Sequence, residues 1–346
     1  MLNRNAIAVF LTAGLAAAGW GVFAWAGGPG ESVPVIGGTR GSIDYLRSID
    51  SKQLQTFAKP RSLWGKVVEW VAGPGDRPWF GRPFGLAEDS EGRLIVTDPD
   101  RGVVHVLDFE RRKYEQLLGA QGNKFVSPVG VAVDTADNIY VSDSMRAAIF
   151  VFDKRGKFLR ALDGPRGGPR FQRPTGLAID SQGELIYVAD TLRHHVLVLK
   201  FDGELVRVMG RRGIGPGEFN YPAAIALASG EIYVVDSMNF RIQVFNPEGH
   251  VLRNIGRVGD RTGALVRPKG IALDSDGHIY VTDALLEVVQ IFDIDGNLLH
   301  HFGSSGNATA KFALPSGIYI GPRDRIYVAD SQNQRVQVFR YKRVSP

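Results

Sequence analysis

Residues 267–293 read RPKGIALDSDGHIYVTDALLEVVQIFD, which is three short strands with their punctuation. Pro268 and Gly270 open the first strand, expected over 270–273, and Asp274, Ser275, Asp276 and Gly277 form a turn. A second strand is expected over 279–282 and a third over 288–292, with a polar loop after Asp283 between them. Each run is short, rich in β-branched or aromatic residues, and bounded by turn formers, as strands are. The runs are apolar at nearly every position instead of alternating, so both faces of this small sheet must be covered. A lone meander has nothing to cover it.

The rest of the chain supplies the cover. Matching prolines stand at Pro83, Pro128, Pro174, Pro222, Pro268 and Pro315, at steps of 45 to 48 residues. The aspartates that close the second strands, Asp98, Asp143, Asp190, Asp236, Asp283 and Asp330, step by 45 to 47. Each step is longer than three strands require. The remainder holds a fourth strand, seen as Val251-Leu252-Arg253-Asn254-Ile255, and a Gly-rich loop. Four strands per repeat of about 45 residues is the pattern of a propeller blade. The expected fold is all-β, a six-bladed β-propeller of four-stranded blades over 82–346.

The last repeat lacks an outer strand, because the chain stops soon after its third strand, expected over 336–341. Upstream of the first blade, Tyr45-Leu46-Arg47-Ser48-Ile49 echoes Val251-Leu252-Arg253-Asn254-Ile255 and Phe158-Leu159-Arg160-Ala161-Leu162. A latch strand within 42–50 is therefore expected to pair with 336–341 and close the ring, which protects a sheet edge. A solenoid competes, but an orphan outer strand at one end and a missing one at the other favour closure. The middle of the first strand is Ala87, Ala132, Ala178, Ala226, Ala272 and then Tyr319. Small residues suit the axis where blades converge; Tyr319 either fills a gap or projects into the channel.

Composition narrows the class. The 346 residues carry 41 Lys and Arg, 36 Asp and Glu, and no cysteine. That excludes structural disulfides, thiolate metal sites, a lipidated cysteine and covalent c-type haem attachment. The net charge of +5 bears on association and not on fold. Residues 6–26 contain no charged side chain, follow Arg4, and end in Ala24-Trp25-Ala26, a small-x-small cleavage pattern. The segment 1–26 thus reads as a signal peptide or, uncleaved, as a membrane anchor. Either reading puts the blades outside the cytoplasm, in a periplasm or at a cell surface. Residues 27–41, rich in Gly, Pro and Ser, read as a flexible spacer.

The opening P-x-G-[IVL]-A-[LIV]-D, the second strand [IL]-Y-V-x-D and the third strand N-x-R-[IV]-Q-V-F resemble NHL repeats. The clearest copies are 236–245 and 330–339, and the resemblance covers 82–340. The Asn and Arg of that signature occur at Asn239/Arg241 and Asn333/Arg335, while Arg101, Arg146 and Arg193 take the Asn position elsewhere and Leu286 in the fifth blade. NHL propellers include RNA-binding modules, extracellular sensor domains and a metal-dependent lyase, so the resemblance implies the fold and leaves the function open. The order of signal, latch, aromatic insertion and blades is similar to exported bacterial NHL proteins. Through that resemblance, a multihaem cytochrome system is an implied partner.

Catalytic signatures are sparse. There is no H-E-x-x-H, G-x-S-x-G or full P-loop. The first strands hold no histidine, and His105, His194, His195, His250, His278, His300 and His301 fall at radially remote positions. No metal ligand, cofactor or catalytic residue is assigned. Glu88 replaces an apolar residue near the axis and is expected to be paired, as a structural ion pair before a general base. The aspartates after the second strands, and Asp134, Asp180 and Asp274 at hairpin turns, are expected to accept loop amides.

In such a meander the loops into the first strands share one face, here the upper face, with the second-to-third loops. That face collects Arg82, Arg101, Arg146, Arg173, Arg193, Arg241, Arg267 and Arg335, while Asp89, Glu91, Asp134 and Asp274 gather on the lower face. A Trp-rich insertion over 51–81 precedes the first blade. In it Leu63, Trp64, Val67, Val68 and Val71 recur at helical spacing, with Ser62 as cap and Gly73 as stop. Trp64, Trp70 and Trp79 beside arginines are apt binding anchors; a structural clasp is the other reading. The favoured function is a non-catalytic binding or scaffold module with a protein partner or ligand on the upper face. Its candidate contacts are Trp64, Trp70, Trp79, Arg82, Arg101, Arg146, Arg193, Arg241, Arg267 and Arg335, with Tyr319 in the channel. The propeller is expected to be monomeric. The rivals are an exported metal-dependent lactonase- or lyase-like enzyme and an RNA-binding module, the latter disfavoured by export and by few stacking platforms.

Overall fold

The computed structural model describes residues 32–33, 41–57, 79–120 and 122–343. Each repeat folds as one antiparallel sheet. The quoted stretch forms Pro268–Leu273, Ile279–Asp283 and Val288–Phe292, and Leu298–Phe302 completes that blade. Blades one to four pair in the same order, from an axial first strand to an outer fourth. In blade five the second and third strands are buried at every position, as their unbroken apolar runs require. Six apolar clusters fill the six gaps between neighbouring blades, and together they are the core.

Blade six is composite. Gly41–Ile49 pairs antiparallel with Arg335–Arg343, with Ile43 opposite Tyr341 and Ile49 opposite Val336. The two strands expected from sequence to pair are the two that pair. A bulge between Tyr45 and Arg47 divides the latch into two halves that serve different gaps. Ile43 and Tyr45 pack toward blade five, whereas Ile49 packs toward blade one with Leu54 and Phe80. The echoed arginine has a shared role too. Arg160 and Arg253 each donate to a carbonyl of the next blade, Phe201 O at 3.0 Å and Ile294 O at 2.8 Å. Arg47 does the equivalent for the latch by stacking over Phe109 of blade one at 3.9 Å.

Two local features depart from expectation. Ser32–Val33, within the expected spacer, adds a short edge strand to the latch. A helix at Ser51–Phe57 follows the latch directly, capped by the Asp50 carboxylate, which accepts from the Lys52 and Gln53 amides at 2.9 and 3.0 Å. The helix expected between Ser62 and Gly73 lies outside the described residues.

The axis is closed by backbone contact. A Cβ on Gly130 would stand 2.1 Å from the Thr175 carbonyl oxygen, and one on Gly317 2.1 Å from that of Phe84. The glycine of P-x-G is therefore what lets first strands touch. The alanines of the first strands line the channel, as Ala87, Ala132, Ala226 and Ala272 do, and Ala87, Ala178 and Ala272 also pack into the gaps between blades. Hydroxyls stitch the seams. Ser142 Oγ accepts from the Gly130 amide at 2.9 Å and donates to Thr175 O at 2.5 Å. Ser331 Oγ donates to Pro83 O at 2.7 Å across the last seam.

Candidate binding surface on the upper face

The six aspartates after the second strands are fully buried, and they fix the upper loops. Asp283 accepts from the Val266 and Arg267 amides at 2.7 and 3.0 Å, and from Leu285 and Leu286 at 3.1 Å each. Asp143 does the same for Val126, Ser127, Met145 and Arg146. Each carboxylate thus ties the loop into the first strand to the second-to-third loop of its own blade.

Several of the predicted upper-face arginines complete this framework. Arg241 bonds Asp236 at 3.0 Å and donates to the carbonyls of Gly215 and Glu218 at 2.7 and 3.0 Å. Arg335 repeats the arrangement with Asp330 at 2.7 Å and the Ala308 and Lys311 carbonyls. Arg146 donates to Lys124 O at 2.6 Å and Arg193 to Arg170 O at 3.0 Å. Arg101 stacks over Trp79 at 4.4 Å and donates to its carbonyl at 3.4 Å. These five hold loops together. Trp79 is exposed; Trp64 and Trp70 lie outside the described residues.

Arg82 and Arg267 are placed differently. With Arg173 and Lys269 they line a cavity of about 520 Å³ at the upper mouth of the channel, and no Asp or Glu lines it. The repeat explains the arrangement. The residue before each entering proline is Arg82, Ser127, Arg173, Tyr221, Arg267 and Leu314, so arginines alternate on blades one, three and five. The residue after it is Phe84, Val129, Thr175, Ala223, Lys269 and Ser316, an inner ring in which Lys269 alone is charged. Arg82 pairs with Asp100 at 2.9 Å. Arg267 makes a 3.4 Å contact with Met238 Sδ, and among the described residues Arg173, Arg267 and Lys269 have no ion-pair partner. Burial, followed by the charges of Arg267, Arg173 and Arg82, pushes the Lys269 ammonium below its ordinary pKa.

Lys269 was not singled out from sequence, since it sits inside a motif read for its Pro and Gly. Aligning the residues between those two would have exposed it. The upper-face loops carry exposed apolar side chains, Met145 at 69%, Leu285 at 59%, Leu314 at 46% and Leu192 at 42%, and Tyr221, at 39%, lines the mouth. A groove of about 400 Å³ adjoins the mouth and shares Arg82, Phe84, Arg267 and Lys269 with it, and Leu285 and Leu314 line its side.

Below the mouth runs a channel of about 320 Å³ lined by first-strand residues, including Tyr319 and Glu88. Tyr319 therefore does face the channel, packed against Tyr327 at 6.2 Å. Its phenol is pushed up to about 12 by burial and the nearby Glu88 charge. The expected ion pair of Glu88 is not formed among the described residues. Its Oε2 is buried without a hydrogen-bond partner, and Arg325 donates instead to Tyr327 Oη at 3.1 Å. Histidines do not converge: His105 is buried in blade one against Asp98 and Tyr114, at 3.2 and 2.8 Å, while His278 binds Asp274 on the lower face. No group of three metal-ligating side chains occurs among the described residues.

Comparison with known proteins agrees with this architecture. The sequence model of a family described as a 6-bladed beta-propeller matches residues 126–191 and 177–255, and that of the NHL repeat matches 265–284 and 312–339. The chain belongs to the NHL-repeat six-bladed propellers. It is 28% identical over 161 residues to NHL repeat-containing protein 2 of Homo sapiens, a match covering 38% of this chain and 22% of that protein. It is 25% identical over 173 residues to peptidylglycine alpha-amidating monooxygenase of Rattus norvegicus, covering 44% of this chain and 16% of that one. The matches thus span about a fifth or less of these curated relatives. Among solved structures, a gluconolactonase of Xanthomonas campestris superposes with a TM-score of 0.61 at 16% identity, covering 91% of this chain and 99% of that one. A virginiamycin B lyase from Staphylococcus aureus gives 0.56 at 13% identity, covering 75% and 95%. At these identities the likeness is one of fold.

Proposed function

We propose that this propeller is a non-catalytic binding module, held outside the cytoplasm, whose upper face receives a protein partner. The observation that carries the reading is the set of exposed apolar side chains in the upper-face loops. Met145, Leu192, Leu285 and Leu314 stand exposed where each neighbouring loop is rigidly stapled by a buried aspartate. Exposed aliphatic side chains on a fixed frame make a preorganised contact surface, and clustered apolar exposure marks interaction sites. Export rests on the uncharged stretch 6–26; among the described residues no helix is long and apolar enough to cross a membrane. The test is affinity capture from native membranes with the wild-type chain and with Met145→Asp/Leu285→Asp. A partner recovered by the wild type and lost by a stably folded variant is expected. Equal recovery by both sinks the reading.

One observation favours a second reading, a channel enzyme of hydrolase or lyase type: the unbonded Glu88 Oε2 in the channel. Purified protein assayed with lactones, alongside Glu88→Gln, decides it. Turnover that the substitution abolishes without unfolding the chain is the result this reading requires.

A further inference from the structure

The upper mouth differs from the rest of the upper face in its charge balance. Arg146, Arg193, Arg241 and Arg335 are spent on carbonyls or on the buried aspartates. At the mouth, Arg173, Arg267 and Lys269 share one cavity and meet no carboxylate. Arg82 is satisfied by Asp100, but both side chains are about half exposed, and such a pair exchanges partners at little cost. Lys269 lines the mouth, the channel below and the apolar groove beside it, so all three spaces meet at its side chain.

An uncompensated group of cations in a partly desolvated concavity raises the local concentration of anions. Arginines on alternate blades approach the axis from three directions, which suits an oxyanion standing on the axis that takes charge-assisted hydrogen bonds from around it. The surroundings select the kind of anion. Met238 lines the mouth, and Leu285 and Leu314 line the adjoining groove, thioether and aliphatic side chains that pack against peptide side chains. Phe84 and Tyr221 also line the mouth, two rings against the run of successive platforms on which single-stranded nucleic acid stacks.

We propose that the mouth is a receptor for an acidic peptide segment of the partner protein. An Asp or Glu carboxylate inserts between Lys269, Arg267 and Arg173, and neighbouring apolar residues of the segment lie on the Met238–Leu285 side. This rests on the reading of the upper face as a docking surface, and it adds the chemistry of what docks.

The probe is a fluorescein-labelled synthetic peptide alternating Leu and Glu, with a Leu/Gln peptide of equal length as control, in fluorescence polarisation with the full chain. The Glu peptide is expected to bind at least about tenfold tighter than the Gln peptide, because hydrogen bonds to charged groups are at stake. Lys269→Gln and Arg173→Gln should each weaken it by about tenfold. Lys154→Gln removes the same charge on the lower face and should leave it unchanged. Arg173 is exposed, so its substitution tests the idea even if Lys269→Gln fails to fold. Four outcomes overturn the proposal: no binding, equal binding of the two peptides, an equal loss with Lys154→Gln, or displacement by inorganic phosphate or oligouridylate at lower concentrations than by unlabelled Glu peptide. Partner capture that depends on Met145 and Leu285 but not on Lys269 or Arg173 leaves the docking surface standing and removes the acidic segment. Capture that depends on neither pair removes both.

Discussion

Truncating the latch at one residue per gap tests ring closure most sharply. Ile43 and Ile49 are both fully buried, Ile43 beside Phe339 toward blade five and Ile49 beside Val336 and Tyr327 toward blade one. Replacing a buried Ile by Ala costs roughly 2–5 kcal/mol through lost transfer energy and the cavity left behind. The two sites face different gaps across the bulge at Tyr45 and Arg47, with separate packing partners, so their effects should add. The double variant should then lose roughly 4–10 kcal/mol, a large part of the roughly 5–15 kcal/mol that folded domains have in total. Equilibrium urea denaturation followed by tryptophan fluorescence reads the midpoints, and size-exclusion chromatography reads association. The double variant should unfold at far lower urea and should associate through the freed edge of Arg335–Arg343. Single losses below about 1 kcal/mol each, with a monomeric double variant, would refute a latch that holds the ring.

Four further outcomes follow from residues already placed. Burial holds His105 below its ordinary pKa, so its folded form resists protonation; its stability contribution is full above about 6.5 and is lost as pH falls toward the folded value. His105→Gln, which copies Gln243 and Gln337 of other blades, should lose less melting temperature than the wild type between pH 7 and pH 5. His278 has the opposite sign: its hydrogen bond to Asp274 raises its pKa, so that contribution is full below about 6.5 and fades as pH rises through the folded value. The deficit of His278→Gln against wild type should therefore shrink on going from pH 5 to pH 8. Gly317→Ala drives a Cβ to 2.1 Å from the Phe84 carbonyl oxygen and should cost about 1–3 kcal/mol or more, whereas Ala224→Gly, which restores the repeat in blade four, should be nearly neutral by the same melting assay. Arg241→Lys breaks the fork to Asp236, Gly215 and Glu218 and should lower stability by about 1.5–3 kcal/mol while leaving Glu-peptide binding intact, measured side by side.

The blades, their order and the closing of the ring by the latch were legible because the same physical constraints recur in every repeat. A P-x-G recurs where first strands touch, in every blade but the fourth, which has Ala224, and a buried Asp recurs wherever two upper loops are joined. Five copies of the one and six of the other make the period plain. The site was legible only by face. Strand direction says which loops share a side of the disc, but it does not say how far each side chain lies from the axis. Arg146 and Arg193 sit in second-to-third loops and Arg241 opens a third strand, each beside carbonyls that take its donors. Arg173 and Lys269 flank an entering proline and so reach the mouth. Glu88 shows another limit: a charge replacing an apolar residue signals that something differs, but its neighbours come from the opposite end of the chain.

The pairing of Ile43 with Tyr341 joins residues 341 − 43 = 298 positions apart. Closing a loop costs about 0.6 kcal/mol more for each doubling of its length, and contacts so distant in sequence form late. During synthesis the latch emerges before any blade, and its partner strand emerges after all the others. Five blades can condense in order as they appear, each from its own hairpins. The sixth must wait, with Ile43, Tyr45 and Ile49 still seeking cover. The seam between the first and last blades is thus also a checkpoint in time: a chain interrupted anywhere before Arg335 is left as an open arc with an unmatched apolar strand, the kind of species that proteases and chaperones recognise.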